Sequence, residues 1–178
     1  MPLILGIDPG SRVTGYGIVR VEGSRNHYVT SGCIRTTRGA DLADRLLEIG
    51  DGLTQILREH EPEVAAVERV FMSRNAESAL KLGQARGAAI LTARQHGLAV
   101  AEYEARKVKQ AVVGTGAADK AQVQHMIRLL LGLQATPQED AADALAIAIC
   151  HAHTRASLSG VASDATLRFG RGRLHETS

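Results

Sequence analysis

Residues 3 to 8 read Leu-Ile-Leu-Gly-Ile-Asp, an apolar run that ends on a carboxylate and passes at once into Pro9-Gly10-Ser11. A short apolar run closed by Pro and Gly is the pattern of a buried strand, so Asp8 is expected where a core strand leaves the sheet. Two further strand patterns follow, Thr14 to Val21 and roughly Tyr28 to Thr36, separated by turns short enough for an antiparallel meander. The period then changes. Leu42, Leu46, Ile49, Leu53, Ile56 and Leu57 recur at three- and four-residue spacing and predict one helix from Leu42 to His60 with a single apolar stripe. Val64 to Val70 reads as the next strand, Asn75 to His96 as a long helix, Leu98 to Tyr103 as a short fifth strand and Asp119 to Leu131 as another helix. Thr136-Pro137-Gln138-Glu139 combines an N-cap, a first-turn proline and a capping-box acid, so a last helix is expected from there to about Thr154.

Three antiparallel strands followed by alternating helices and strands predict an α/β domain with a mixed five-stranded sheet flanked by helices. Strands one and four should be neighbours near its centre, which would bring Asp8 beside Glu68. At 178 residues the chain is about one domain, read as residues 1–155; beyond Arg155 the sequence turns to Ser, Gly and Arg with little periodicity, and residues 156–178 are expected to be a flexible tail. No stretch is long and apolar enough to span a membrane, and no targeting segment is visible, so a soluble cytoplasmic protein is expected. Cys33 and Cys150 fall inside predicted elements as free thiols, and no Cys or His cluster has zinc spacing.

Charge changes this picture through its distribution. Residues 35 to 63 carry seven acids against four bases, while residues 86 to 128 carry seven bases against three acids. A one-sided basic segment is the footprint expected for a polyanion, although a solvated helix face would look the same.

Four acids stand in apolar surroundings: Asp8, Glu68 after Val64-Ala65-Ala66-Val67, and Asp140 with Asp143, three apart and so on one helix face. Each has an individual explanation, since Asp8 can cap its turn, Glu68 can pair with Arg69 or Arg12, and the two aspartates favour a helix N-terminus. Taken together they suggest a cation site. Carboxylates about 5 Å apart repel by roughly 3 kcal/mol per pair at an effective dielectric of 20, and hard oxygen donors suit magnesium or manganese. Two such ions are the standard device for in-line displacement at phosphorus. His151 lies about 16 Å along the helix from Asp140 and is expected to be structural.

Several segments together resemble the RuvC family of Holliday-junction resolvases: Gly6-Ile7-Asp8-Pro9-Gly10-Ser11-Arg12-Val13-Thr14-Gly15-Tyr16-Gly17, Glu68 ahead of Val70-Phe71-Met72, Ser78 to Gly87, Val108-Lys109-Gln110 and Asp140-Ala141-Ala142-Asp143-Ala144-Leu145. The resemblance covers about residues 1 to 155. It implies a ribonuclease H-like fold, a homodimer that cuts four-way DNA junctions with Mg2+ (two ions per site, Mn2+ able to substitute), and cooperation with the RuvA-RuvB branch-migration complex. It puts the acidic tetrad on Asp8, Glu68, Asp140 and Asp143, a base-stacking aromatic at Phe71, and Lys109 and Lys120 near the active centre. Pattern alone would make Phe71 a hydrophobic staple and the lysines plain phosphate anchors. Arg74, Arg86 and Arg106 are candidate DNA-backbone contacts.

Two rival readings follow from parts of the same sequence. The first loop also resembles the phosphate loop of actin-like ATPases and sugar kinases, which need a second such domain. A non-catalytic junction-binding protein would explain the basic segment and leave the four acids without a purpose. Ala79, Gly83 and Gly87 form a small-residue strip on the Asn75 helix, suited either to another copy's helix or to close packing on its own sheet.

Overall fold

The computed structural model describes residues 1–69 and 75–171, with side chains described through residue 158. The chain forms β1 (Leu3–Asp8), β2 (Val13–Glu22), β3 (Arg25–Arg35), α1 (Leu42–His60), β4 (Val64–Glu68), α2 (Ala76–Gln95), β5 (Ala99–Tyr103), α3 (Ala105–Val113), α4 (Lys120–Leu130) and α5 (Glu139–Arg171). The five strands make one sheet in the order β3-β2-β1-β4-β5. The first three pair antiparallel, and β1-β4 and β4-β5 pair parallel. Strands one and four are therefore adjacent in mid-sheet, as the sequence predicts. Among the described residues no helix is long and apolar enough to cross a membrane.

Strand alternation divides the core between the two faces of the sheet. Ile4, Val19, Val64 and Ala66 pack against α3, α4 and α5 through Val108, Val112, Val123, Ile127 and Leu145. Leu5, Ile7, Ile18, Ala65 and Val67 pack on the other face against α1 and α2, including Ile49, Leu53, Ala85 and Ala89.

One contact between layers sets the position of α5. A methyl group on Gly6 of β1 would lie 1.9 Å from the carbonyl oxygen of Ala144, and one on Gly15 of β2 would lie 2.0 Å from that of Asp140. With hydrogen in place of those side chains, the first turns of α5 rest directly on the sheet backbone.

The structure moves several boundaries. α3 is absent from the sequence expectation because it is only nine residues long, too short for its apolar positions to establish a period; its end is marked by Gly114, whose φ of 85° closes a left-handed cap on Gln110. β3 begins at Arg25, because the two-residue turn at Gly23 and Ser24 extends the hairpin through Arg25, Asn26 and His27, an exposed stretch without an apolar pattern. The last helix starts at Glu139, its first bond running from the Ala142 amide to the Gln138 carbonyl, so Thr136 is not the N-cap. That helix also continues to Arg171, well beyond the end expected near Thr154, with Cys150 and His153 carbonyls accepting from Thr154 and Ser157 along the way.

Candidate active site

Parallel pairing of β1 with β4 puts the carboxyl ends of both strands at one edge of the sheet. Asp8 is the last residue of β1 and Glu68 the last of β4. Beyond Asp8 the chain turns through Pro9 and Gly10 and is closed by Thr14, a fully buried residue whose hydroxyl donates to the Gly10 carbonyl at 3.0 Å. Glu68 is braced from α2, where Arg86 Nε donates to its carbonyl oxygen at 3.0 Å while the same guanidinium pairs with Glu102. Asp143 arrives from the opposite layer on α5.

These three acids line a single cavity of about 280 Å³ together with Ala105, Val108, Lys109, Lys120 and Val123. α3 supplies Lys109. Lys120 is the first residue of α4, whose start is fixed by a capping box between Asp119 and Gln122. Lys120 Nζ lies 3.9 Å from Asp143 Oδ2 and pairs with Glu139. Asp140, one turn before Asp143, is not among the residues lining the cavity but acts electrostatically on Asp8.

The charges are unbalanced. The Asp8 carboxyl is pushed up to about 8, first by burial and then by Asp143, Glu68 and Asp140, with Lys120 opposing. Burial and the Asp143 charge raise Glu68, against Lys109 and Lys120. Asp143 is raised chiefly by burial, with Lys120 the main opposing influence. Lys120 is itself held above the ordinary lysine value, foremost by its bond to Glu139. With every carboxyl ionised the cluster would carry more negative charge than its two lysines offset, and without a cation Asp8 instead keeps its proton at neutral pH.

Among the described residues no three Asp, Glu, His or Cys side chains stand close enough to ligate one ion as placed. The acids share a cavity wall, and ligation would require their side chains to close inward. Their chemistry fits a hard divalent cation, because every acidic donor is a carboxylate oxygen and Asp8 is raised by burial and by three neighbouring acids, both of which a cation would offset.

Of the other residues singled out from sequence, Arg106 is exposed and packs its stem over Gly116. Arg86 is engaged with the Glu68 carbonyl and Glu102, inside the fold. Phe71 and Arg74 lie outside the described residues. His151 is buried beside Tyr103, whose hydroxyl lies 2.7 Å from its Nδ1, away from the acids. Gly83 and Gly87 are exposed, with no described atom within 4 Å of where a side chain would begin, so the strip on α2 is not packed on its own sheet. Glu139, expected as a capping-box acid, serves as the partner of Lys120, 19 residues away in sequence.

The family model described as crossover junction endodeoxyribonuclease RuvC matches residues 4–151. A protein of that name from Shewanella amazonensis is 58% identical over 174 residues, spanning 97% of this chain and 100% of its own length. The one from Tolumonas auensis is 55% identical over 178 residues, 100% of this chain and 97% of its own. Among solved structures, Thermus thermophilus RuvC in complex with a Holliday junction substrate superposes with a TM-score of 0.83 at 35% identity, covering 88% of this chain and 96% of that one.

Proposed function

The chain belongs to the crossover junction endodeoxyribonuclease RuvC family, and from that premise we propose that it resolves four-way DNA junctions by paired, symmetric nicks that depend on divalent metal. The observation that carries the reading is the meeting of Asp8, Glu68 and Asp143, from three separate elements, with Lys109 and Lys120 in one cavity. The same reading takes Mg2+ as the ion, two per site, held by Asp8, Glu68, Asp140 and Asp143, with Mn2+ able to replace it. Bound there, divalent cations supply neutralisation of phosphate charge and a water acidified toward neutral pH.

The residues themselves do the positioning. β1 and β4 hold Asp8 and Glu68 side by side, and α5, seated on Gly6 and Gly15, holds Asp143 across from them. Lys109 and Lys120 place ammonium groups on the cavity wall, where they offset the charge that develops on the phosphate as water attacks phosphorus in line. The bond to the 3′ oxygen breaks, leaving a 5′-phosphate and a 3′-hydroxyl. Phe71 stacks on an unpaired base, and Arg74 and Arg106 contact the DNA backbone.

Two nicks in strands related by two-fold symmetry call for two sites, and an isologous homodimer supplies them. The strip of half-buried Ala79 and exposed Gly83 and Gly87 on α2, bordered by exposed Leu80 and Leu91, is the helix face we assign to that interface. Residues 1–155 carry the chemistry, residues 156–178 are an appendage to it, and the protein works in the cytoplasm with the RuvA-RuvB complex. The deciding experiment is incubation with a synthetic four-way junction, with and without magnesium. Symmetric nicks that require the ion are expected; intact junction in both samples would overturn the reading.

A further inference from the structure

A second group of basic side chains lies two strands away from the acids. Arg12, Arg38 and Arg45 line a cavity of about 360 Å³ with Thr36, Thr37 and Gly39. Among the described residues none of these three guanidinium groups has a carboxylate within salt-bridge distance, whereas Arg69 and Arg86 both pair with Glu102. Arg45 Nε is also buried without a hydrogen-bond partner. A charged donor withdrawn from water and left unpaired is costly, so such a group calls for an anion. Of the nearby acids, Glu48 feels the Arg45 charge but takes its close hydrogen bond from the Thr37 amide at 2.6 Å, and Asp41 accepts from the Asp44 amide at the start of α1.

The cavity is tied to the loop that follows Asp8. Thr36 donates its amide to the Arg12 carbonyl at 3.1 Å and its hydroxyl to that of Ser11 at 3.2 Å. β3 runs parallel to β1, both being antiparallel to β2, so its end at Arg35 opens on the same edge of the sheet as Asp8. Asp8 faces Gly15 and Gly15 faces Cys33, two strand spacings, and Thr36 is three residues further on. At ordinary sheet dimensions that separates the cavity from Asp8 by about 14 Å, or about four phosphates of one strand along a helix axis.

We infer that the Arg12, Arg38 and Arg45 cavity is a phosphate-binding subsite that seats a backbone phosphate of the junction a few nucleotides from the one being cut. Guanidinium forks are donors that hold phosphate oxygens, and they read no base. This inference rests on the junction-cleaving reading for the identity of its ligand. The site is separate from the acids and from the basic segment around Lys109 and Lys120.

The test is junction binding by the full-length protein in metal-free buffer, measured by fluorescence anisotropy across a salt series. Losing one phosphate contact flattens the slope of log K against log salt by about 0.9. Arg12→Gln with Arg38→Gln is expected to flatten it by about that amount on junctions of any sequence, with the melting temperature kept; the matching pair of Lys substitutions should restore most of it. A folded double Gln variant with the wild-type slope would overturn the inference, as would equal losses in the Gln and Lys pairs. Inorganic phosphate that raises the wild-type melting temperature while the double Gln variant keeps the wild-type DNA slope would mark a free-anion site and overturn it too. Magnesium-dependent cutting by the wild-type protein is scored separately, so a flattened slope without cutting would remove the nuclease reading and leave the phosphate site standing.

Discussion

Arg86 Nε donates to the Glu68 carbonyl oxygen at 3.0 Å, so the end of β4 is anchored by a side chain from α2. The guanidinium is also paired with Glu102 on β5 and is mostly buried. Arg86 is thereby a positioning residue for the Glu68 carboxylate, a role distinct from the DNA contact its place in the basic segment suggests. Arg86→Gln removes a charge-assisted bond of about 1.5 to 3 kcal/mol, and cutting is expected to fall about tenfold while the salt dependence of junction binding stays at the wild-type value. A flattened salt slope would instead show that Arg86 touches phosphate.

Amide replacement of the acids should separate chemistry from binding. Asp8→Asn, Glu68→Gln, Asp140→Asn and Asp143→Asn are each expected to lower junction cutting by more than 100-fold at saturating magnesium, with junction affinity unchanged or tighter, because each substitution lowers the negative charge the acidic cluster can carry. Cutting gels and anisotropy on the same protein samples check both halves.

Asp8 gives a pH signature. Its carboxyl is raised from the ordinary 3.8 to about 8 in the fold, so the folded protein holds a proton that the unfolded chain releases. That stabilisation is complete below about pH 4 and is lost as the pH rises toward 8. Asp8→Asn keeps the neutral form at every pH. The metal-free variant is therefore expected to melt at nearly the wild-type temperature at pH 4 and clearly above it at pH 8.5, with a gain on the order of a few kcal/mol. Calorimetry across this range is the check, and a gap independent of pH would refute it. Added magnesium should raise the wild-type melting temperature more at pH 8 than at pH 5, where protons compete for the same oxygens.

Gly83→Leu tests the α2 interface without disturbing the monomer. The position is open, with no described atom within 4 Å of where a side chain would begin, and replacing a mid-helix glycine favours the helix by up to about 1 kcal/mol. A folded monomer at concentrations where the wild type sediments as a dimer is expected. Normal dimerisation would move the interface elsewhere.

Much of this arrangement is legible in the sequence, for particular reasons. α1 is found residue for residue because six apolar positions share one stripe. β1 is found because its apolar run stops at Asp8, and Asp140 and Asp143 share a face by spacing alone. α3 is missed because nine residues are too few for its apolar positions to set a period. Glu139 has the features of a capping-box acid, but Lys120 lies across a helix boundary 19 residues back, and no local pattern reports such a pair. Arg86 is misplaced for the same reason, its partners being 18 and 16 residues away. The glycines of β1 and β2 look like weak points in strands, and only the packed helix shows what they admit.

The bare contact of α5 with Gly6 and Gly15 has a mechanical consequence. At Gly6 and Gly15 no side chain is interposed as a shim between the strands beside Asp8 and the helix carrying Asp143, so the gap across the acidic cleft is gauged there by main-chain thickness. Repacking the apolar core elsewhere leaves that gauge unchanged. A single added methyl at Gly6 would wedge the jaws apart along the axis on which the acids face each other, and the cleft would lose its calibration even where the protein kept its shape.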